Sequence, residues 1–254
     1  MDHKKISFVS SGAVAAQDAL SELQATYGMA SLEEADVIVA LGGDGFILST
    51  LHDLHRWNKP IYGMNRGTVG FLMNEFAVER LPERLAEAEL AELNPLKMVA
   101  TTLAGRTEEA LAINEVSLLR AGPQAAKLRV IVDGKVRMEE LVCDGALLST
   151  PAGSTAYNYS AHGPILPIGA DILALTAVAP FRPRRWRGAL LPSKAKVRIE
   201  VLSPEQRRVL AAADSLEVRN VVSVDISSEP SVVHKILFDP GHGLEERLIR
   251  EQFV

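Results

Sequence analysis

Asp44 stands among three glycines, in the run DVIVALGGDGFIL from Asp36 to Leu48. An apolar strand ends in Gly42-Gly43-Asp44-Gly45, and a helix opens directly after it. Ligands of open α/β sheets collect at the carboxyl ends of strands. Glycine backbone can approach phosphate oxygens closely, and a helix N-terminus favours an anion there. A carboxylate in this position repels phosphate but can hold a hydroxyl group or a metal ion beside one. The same residues also suit a plain strand-to-helix turn in which Asp44 caps the helix Phe46–Arg56.

Two further groups carry polar chemistry in apolar surroundings. The first is Asp144-Gly145-Ala146-Leu147-Leu148-Ser149-Thr150-Pro151-Ala152-Gly153-Ser154-Thr155-Ala156-Tyr157-Asn158-Tyr159-Ser160, continuing into Ala161-His162-Gly163-Pro164. Here a short strand gives way to hydroxyls and small residues, and a helix begins over Thr155–Ser160. Backbone N–H groups at a helix start, hydroxyls, an aromatic face and an amide suit the base and sugar of a nucleotide. They equally compose a Ser/Thr-rich N-cap with ordinary turn residues. The second group is Asn114-Glu115, inside the strand-like LAINEVSLLR. Successive strand residues point to opposite faces, so one of the two must face a core or a cleft unless a bulge intervenes. A polar side chain buried there needs a hydrogen-bond partner.

The elements that position these groups fall into two patterns. Up to residue 95, strands and helices alternate. Strands are expected at Ile6–Val9, Val37–Leu41 and Ile61–Met64, and helices at Val14–Tyr27, Phe46–Trp57 and Leu81–Leu93. That alternation predicts a small parallel α/β domain over residues 1–95. Asn94-Pro95 breaks the pattern. From residue 96 to 238 the apolar segments are short, alternating or β-branched: Met98–Leu103, Ala112–Leu119, Leu128–Val132, Ala146–Ser149, Val197–Leu202, Val209–Ala212, Val221–Ile226 and Val232–Phe238. Turn residues such as Asp133-Gly134 and Ser203-Pro204 punctuate them. The fold class expected is therefore α/β plus β, with a β-rich, sandwich-like C-terminal domain. Residues 239–254 form a last segment with helical spacing over Gly243–Phe253, expected to pack back on the first domain.

Bulk properties exclude several classes. The 254 residues are 47% hydrophobic and 23% charged, as in ordinary globular proteins. The net charge of −5 gives no global attraction to nucleic acid or an anionic membrane. The single cysteine, Cys143, rules out an internal disulfide framework and suits a small buried apolar position. No apolar run reaches the ~18 residues of a membrane span, and no signal-peptide core follows Lys4-Lys5, so the expected compartment is the cytoplasm. There is no G-x-G-x-x-G after a strand and no G-x-x-x-x-G-K-[ST], which argues against a hydride-transferring Rossmann enzyme and a P-loop kinase. The six histidines lack metal-ligand spacing, so no built-in metal site is expected, and His162 reads as structural.

Together the segments GGDGFIL (Gly42–Leu48), GMNRGTVGFL (Gly63–Leu72), NEV (Asn114–Val116) and DGALLSTPAGSTAYNYSAHGPIL (Asp144–Leu166) resemble the NAD kinase family. GGDG alone is shared with lipid kinases and phosphofructokinases, and the TPAGSTAY block makes the resemblance specific. It implies an N-terminal α/β domain, a β-rich C-terminal domain and a site between them. It implies phosphoryl transfer from ATP to the 2′-hydroxyl of NAD, with Mg²⁺ or another divalent cation brought by the donor. Carried over residue by residue, Asp44 is the catalytic carboxylate on the acceptor ribose, with Gly45 beside it. Asn114 would bind the adenine or its surroundings and Glu115 the ribose. Asp144, Ala152, Thr155, Ala156, Tyr157, Asn158, Tyr159 and Ser160 would line the rest of the dinucleotide site, and Ala179 its nicotinamide side. A homodimer or homotetramer is implied, with no nucleic-acid or membrane partner. The competing readings are another GGDG-type kinase, for lipid or sugar, and a catalytically silent dinucleotide-binding regulator. The hydroxyl-rich Thr150–Ser160 argues against a lipid pocket, and retention of Asp44 with both other clusters argues against a silent protein. Three departures stand out. Phe46 replaces the family's usual Thr, Asp214-Ser215 replaces a frequent Asp-Gly, and Phe181–Arg187 (FRPRRWR) replaces a His-Ser-type run. That last segment reads as a solvated loop or as a basic rim facing phosphates or a neighbouring subunit.

Overall fold

The computed structural model describes residues 5–67, 70–241 and 246. They divide into two units, one ending at Leu93 and resuming at Val233, the other running Asn94–Val232. The first unit starts with β1 (Ile6–Ser10), α1 (Val14–Tyr27), β2 (Val37–Gly42), α2 (Asp44–Leu54), β3 (Ile61–Asn65), α3 (Leu81–Glu87) and β4 (Glu89–Leu93). The second contains β5 (Leu96–Thr102), β6 (Thr107–Ala112), β7 (Glu115–Arg120), β8 (Ala126–Val132), β9 (Lys135–Cys143) and β10 (Gly145–Ser149). It continues with α4 (Tyr157–Ser160), β11 (Ile172–Val178), β12 (Gly188–Pro192), β13 (Val197–Val201), β14 (Val209–Ala213), β15 (Leu216–Arg219) and β16 (Val221–Ser228). The chain then returns to the first unit as β17 (His234–Phe238).

In the first unit the strand order is β1-β2-β3-β17-β4, with only β4 antiparallel to its neighbour. Every residue of β2 is buried, as befits a parallel strand covered on both faces. Helix α1 buries Ala16, Ala19 and Leu23, three and four residues apart, in a core shared with Phe8, Val39, Tyr62 and Met64. It stops at Gly28, whose φ of 72° takes the chain into the left-handed region. At the end of β2 the first turn of α2 folds straight back over the strand. A Cβ on Gly42 would lie 2.8 Å from that of Phe46, so only glycine fits.

Two expectations for this unit need correction. The helix expected over Leu81–Leu93 ends at Glu87, and Glu89–Leu93 is a strand paired with β17. The helix-favouring Glu, Leu and Ala residues there yield to a ladder of tertiary pairs, because propensity is the weaker effect. Likewise the apolar run up to Phe238 does not belong to the β-rich unit. Its strand inserts between β3 and β4, so the second unit closes at Val232. The helix expected over Gly243–Phe253 lies outside the described residues, Glu246 apart.

The second unit is a sandwich of two antiparallel sheets. Among the described residues their orders are β12-β11-β10-β7-β14-β15 and β6-β5-β16-β13-β8-β9. Strands β5 and β8 bury alternate residues. Their inward side chains Met98 and Val130 share one apolar cluster with Leu118, Leu148 and Val209 of the other sheet.

Candidate active site

In the first unit, Asp44 is the first residue of α2, and Gly43 takes the N-cap position with no side-chain capping bond. Asp44 does not cap its own helix. Its carboxylate accepts the N–H of Phe71 at 2.6 Å and that of Leu72 at 2.9 Å. That segment is itself tied down. Asn74 donates its N–H to Gly63 at 2.7 Å and accepts that of Asn65 at 2.8 Å. Its buried side chain donates to the Leu237 carbonyl at 2.9 Å and accepts the N–H of Asp239 at 3.0 Å. Asp239 in turn takes Arg84 at 2.6 Å and the Tyr62 hydroxyl at 2.5 Å. A Cβ on Gly70 would lie 3.3 Å from an Asp44 oxygen, so the chain passes close over the carboxylate. Gly45 is exposed, with open space where a side chain would be. The result is an oriented carboxylate at a strand end beside open glycine backbone.

In the second unit the strand expected over Ala112–Leu119 is broken. β6 stops at Ala112 and β7 begins at Glu115, leaving Ile113-Asn114 between them. The break has a cause that sequence reasoning missed. The Asp214 carboxylate accepts the N–H of Ile113 at 2.7 Å, of Asn114 at 2.9 Å and of Glu115 at 3.3 Å. On the other edge the Thr150 hydroxyl donates to the Ile113 carbonyl at 2.7 Å, and the Thr150 N–H to that of Asn114 at 2.9 Å. Gly153 packs so tightly on the Asn114 backbone that a Cβ would collide with it. The Asn114 main chain is fixed on both sides, while its side chain makes no hydrogen bond to a described residue. Oε2 of Glu115 is buried and without a hydrogen-bond partner among the described residues. Burial, and then the charge of Asp214, push its pKa up to about 8. Near neutral pH the group therefore carries a proton and can donate as well as accept.

The block after β10 forms a 3₁₀ turn over Ala152–Thr155 and the single turn α4. Thr155, Ala156 and Tyr157 are half-buried, Tyr159 and Ser160 are exposed, and Ala152 is buried. Burial raises the pKa of the Tyr157 phenol, and the charges of Glu115 and Asp144 add to it, so the ring lies within electrostatic reach of both. Asn158 corrects the sequence reading. It is fully buried, donating to the carbonyls of Ser154 and Pro164 at 3.1 and 2.9 Å and accepting the Thr176 hydroxyl at 2.6 Å. Its side chain fastens the 154–164 loop to β11 with both amide donors committed, and its full burial keeps it from a ligand.

The strand register separates the remaining candidates. Glu115 pairs with Ser149 at one end of the β7–β10 ladder, and Gly145 pairs with Leu119 at the other. Asp144 lies opposite Arg120, six strand steps from Asn114, which puts it roughly 20 Å from the break along the ladder. Asp144 is not bare: Arg120, also missed from sequence, donates to it at 2.6 Å. Ala179 follows Val178, the residue paired with Gly145, and so lies near Asp144. It is exposed and left-handed at φ 46°. The arginine-rich stretch is a pinned surface loop. Residues Phe181–Arg185 are exposed, Arg182 and Arg184 stack on Phe181, and Val142 donates its N–H to the Arg182 carbonyl. Its four arginines have no carboxylate partner among the described residues. Nor does any group of three or more His, Cys, Asp or Glu there have a disposition to hold a metal ion.

Two family profiles match the chain, the ATP-NAD kinase N-terminal domain over residues 11–89 and the ATP-NAD kinase C-terminal domain over residues 113–229. The NAD kinase of Cereibacter sphaeroides (strain ATCC 17029 / ATH 2.4.9) is 68% identical over 100% of both chains. The chain belongs to the NAD kinase family. A second NAD kinase, from Hyphomonas neptunium (strain ATCC 15444), is 59% identical over 98% of each chain. Among solved structures, yeast NADH kinase complexed with NADH superimposes with a TM-score of 0.83 at 19% identity, covering 100% of this chain and 88% of that one. An NAD kinase from Archaeoglobus fulgidus in complex with ATP gives 0.74 at 24% identity, covering 98% and 97%. At those identities the likeness shows the fold, which is the NAD kinase fold.

Proposed function

We propose that this member of the NAD kinase family transfers the γ-phosphoryl group of ATP to the 2′-hydroxyl of the adenosine ribose of NAD, giving NADP and ADP. The observation that carries the reading is the Asp44 carboxylate, aimed by two backbone N–H groups at the glycine-rich end of β2. A carboxylate is too weak a base to ionise a ribose hydroxyl in advance. Asp44 therefore orients the hydroxyl and takes its proton as the new P–O bond forms and the bond to the β–γ bridging oxygen breaks. Gly43 and Gly45, with open space where a side chain would be, let donor phosphates approach backbone N–H groups.

The second unit supplies the acceptor groups. The free Asn114 amide and the Glu115 carboxyl suit the adenine and ribose, the half-buried Tyr157 ring offers a stacking face, and Asp144 with Ala179 serves the far end of the dinucleotide. Thr155, Ala156, Tyr159 and Ser160 border that surface, while Ala152 contributes backbone. A divalent cation, arriving on the phosphates of ATP, would neutralise charge on the transferred group. The described residues offer no cluster to hold it independently. A homodimer or homotetramer and a cytoplasmic setting complete the proposal. No helix among the described residues is long and apolar enough to cross a membrane. The test is incubation of the purified protein with NAD, ATP and Mg²⁺. NADP and ADP should appear in equal amounts, and their absence would overturn the reading.

A further inference from the structure

Asp214 lies a hundred residues from Asn114 in sequence, yet one carboxylate takes three consecutive N–H groups of the Ile113–Glu115 break. Its own N–H returns a bond to the Glu115 carbonyl at 3.1 Å. The break thus has its donors satisfied by Asp214 and two of its acceptors by Thr150. Without the carboxylate, the Ile113 and Asn114 N–H groups would face no strand partner, and the short connection would be free to rejoin the ladder and rotate both side chains. Asparagine at 214 would tolerate the backbone, whose φ is 49°. It could not reproduce the contact, because its NH₂ group would face another N–H.

We propose that Asp214 is a positioning residue for the acceptor site, holding the strand break that presents the Asn114 amide and the Glu115 carboxyl to the dinucleotide. The inference rests on the reading of Asn114 and Glu115 as acceptor-binding groups, and it adds a residue that touches neither substrate. Steady-state kinetics of Asp214→Asn, Asn114→Ala and the double variant test it, with thermal melts alongside. Asp214→Asn should raise the KM for NAD on the order of tenfold, the loss expected for displaced hydrogen-bonding groups. The KM for ATP should stay within about twofold, because no donor group is moved. The double variant should be little worse than the poorer single, because displacing the break already removes the contact that Asn114→Ala deletes. Asp214→Ser, which keeps one acceptor oxygen, replaces Asp214→Asn if the latter does not fold. Equal increases in both KM values, an unchanged KM for NAD, or additive losses in the double variant would overturn the inference. An unchanged KM for NAD in Asn114→Ala alone would instead overturn the underlying assignment of Asn114.

Discussion

Replacing Asp44 by asparagine separates two roles of one carboxylate. In the structure each oxygen accepts a backbone N–H, from Phe71 at 2.6 Å and Leu72 at 2.9 Å. The amide oxygen of asparagine can keep one of these bonds, but its NH₂ group must face the other N–H. A hydrogen bond to a charged group is worth about 1.5–3 kcal/mol, and Asp44 is half-buried, so water recovers part of that loss and the cost falls near the lower end. For a chain of this size a loss of about 1.5 kcal/mol lowers the melting temperature by roughly 3–6 °C. The chemical role is larger. Losing a general base costs ~10²–10⁴-fold in kcat, equivalent to about 3–5 kcal/mol of barrier. Calorimetry or a fluorescence melt reads the first quantity, and NADP formation under saturating NAD and ATP reads the second. A kcat within a few-fold of wild type would refute the assignment of Asp44. A melting temperature identical to wild type would refute the amide contacts as its support.

Asn114→Ala and Tyr157→Ala should each raise the KM for NAD by about tenfold while changing that for ATP much less, since a lost polar or stacking contact is worth roughly 1–3 kcal/mol; steady-state kinetics with each substrate varied in turn decides this. Glu115→Gln should weaken NAD binding less than Glu115→Ala, because the amide still hydrogen-bonds. The same residue sets a pH dependence. Its carboxyl is raised from the ordinary 4.5 to about 8, so across that window the folded protein holds a proton that the unfolded chain has released. Stability should therefore fall as pH rises from about 5 to 8, and the Glu115→Gln curve should be flatter, with the largest advantage at the alkaline end. Asn158→Ala strands two carbonyls and the Thr176 hydroxyl and should destabilise the protein by about 2–4 kcal/mol, read as a lower denaturant midpoint. An unaltered midpoint would show that those three bonds do not hold the 154–164 loop.

Much of the fold was legible because its signals are local. Val14–Tyr27 was readable to the residue from helical spacing, and β2 from a continuous apolar run closed by glycine. The strand β4 was not, since Glu89–Leu93 owes its conformation to a partner far along the chain. Strands β9 and β12 hid for another reason: as sheet edges they expose most of their residues and lack a clean alternation. The site divided in the same way. GGDG and the Thr150–Ser160 block announce themselves by composition. The Phe71–Leu72 amides that aim Asp44 are backbone groups with no signature of their own, and Asp214 and Arg120 matter through contacts distant in sequence. Asn158 misled because residue type says only that a group is polar, whereas its use depends on which carbonyls the fold brings beside it.

Strand β17 sits between β3 and β4 but is the last of the five to be synthesised. The nascent first unit must wait with one edge of β3 open and β4 without its ladder partner while the whole sandwich leaves the ribosome, and domains commonly fold as units in that order. During that interval Asn74 lacks both Leu237 and Asp239, and Arg84 and Tyr62 lack the carboxylate they share. The loop that clasps Asp44 is thus anchored only after the whole sandwich has been made. A truncated product ending after Val232 would contain every residue of the GGDG turn and of the acceptor block, yet would leave the phosphoryl-transfer carboxylate without its support. Incomplete translation products should accordingly be inert and, with an uncovered β3 edge, marked for removal or aggregation.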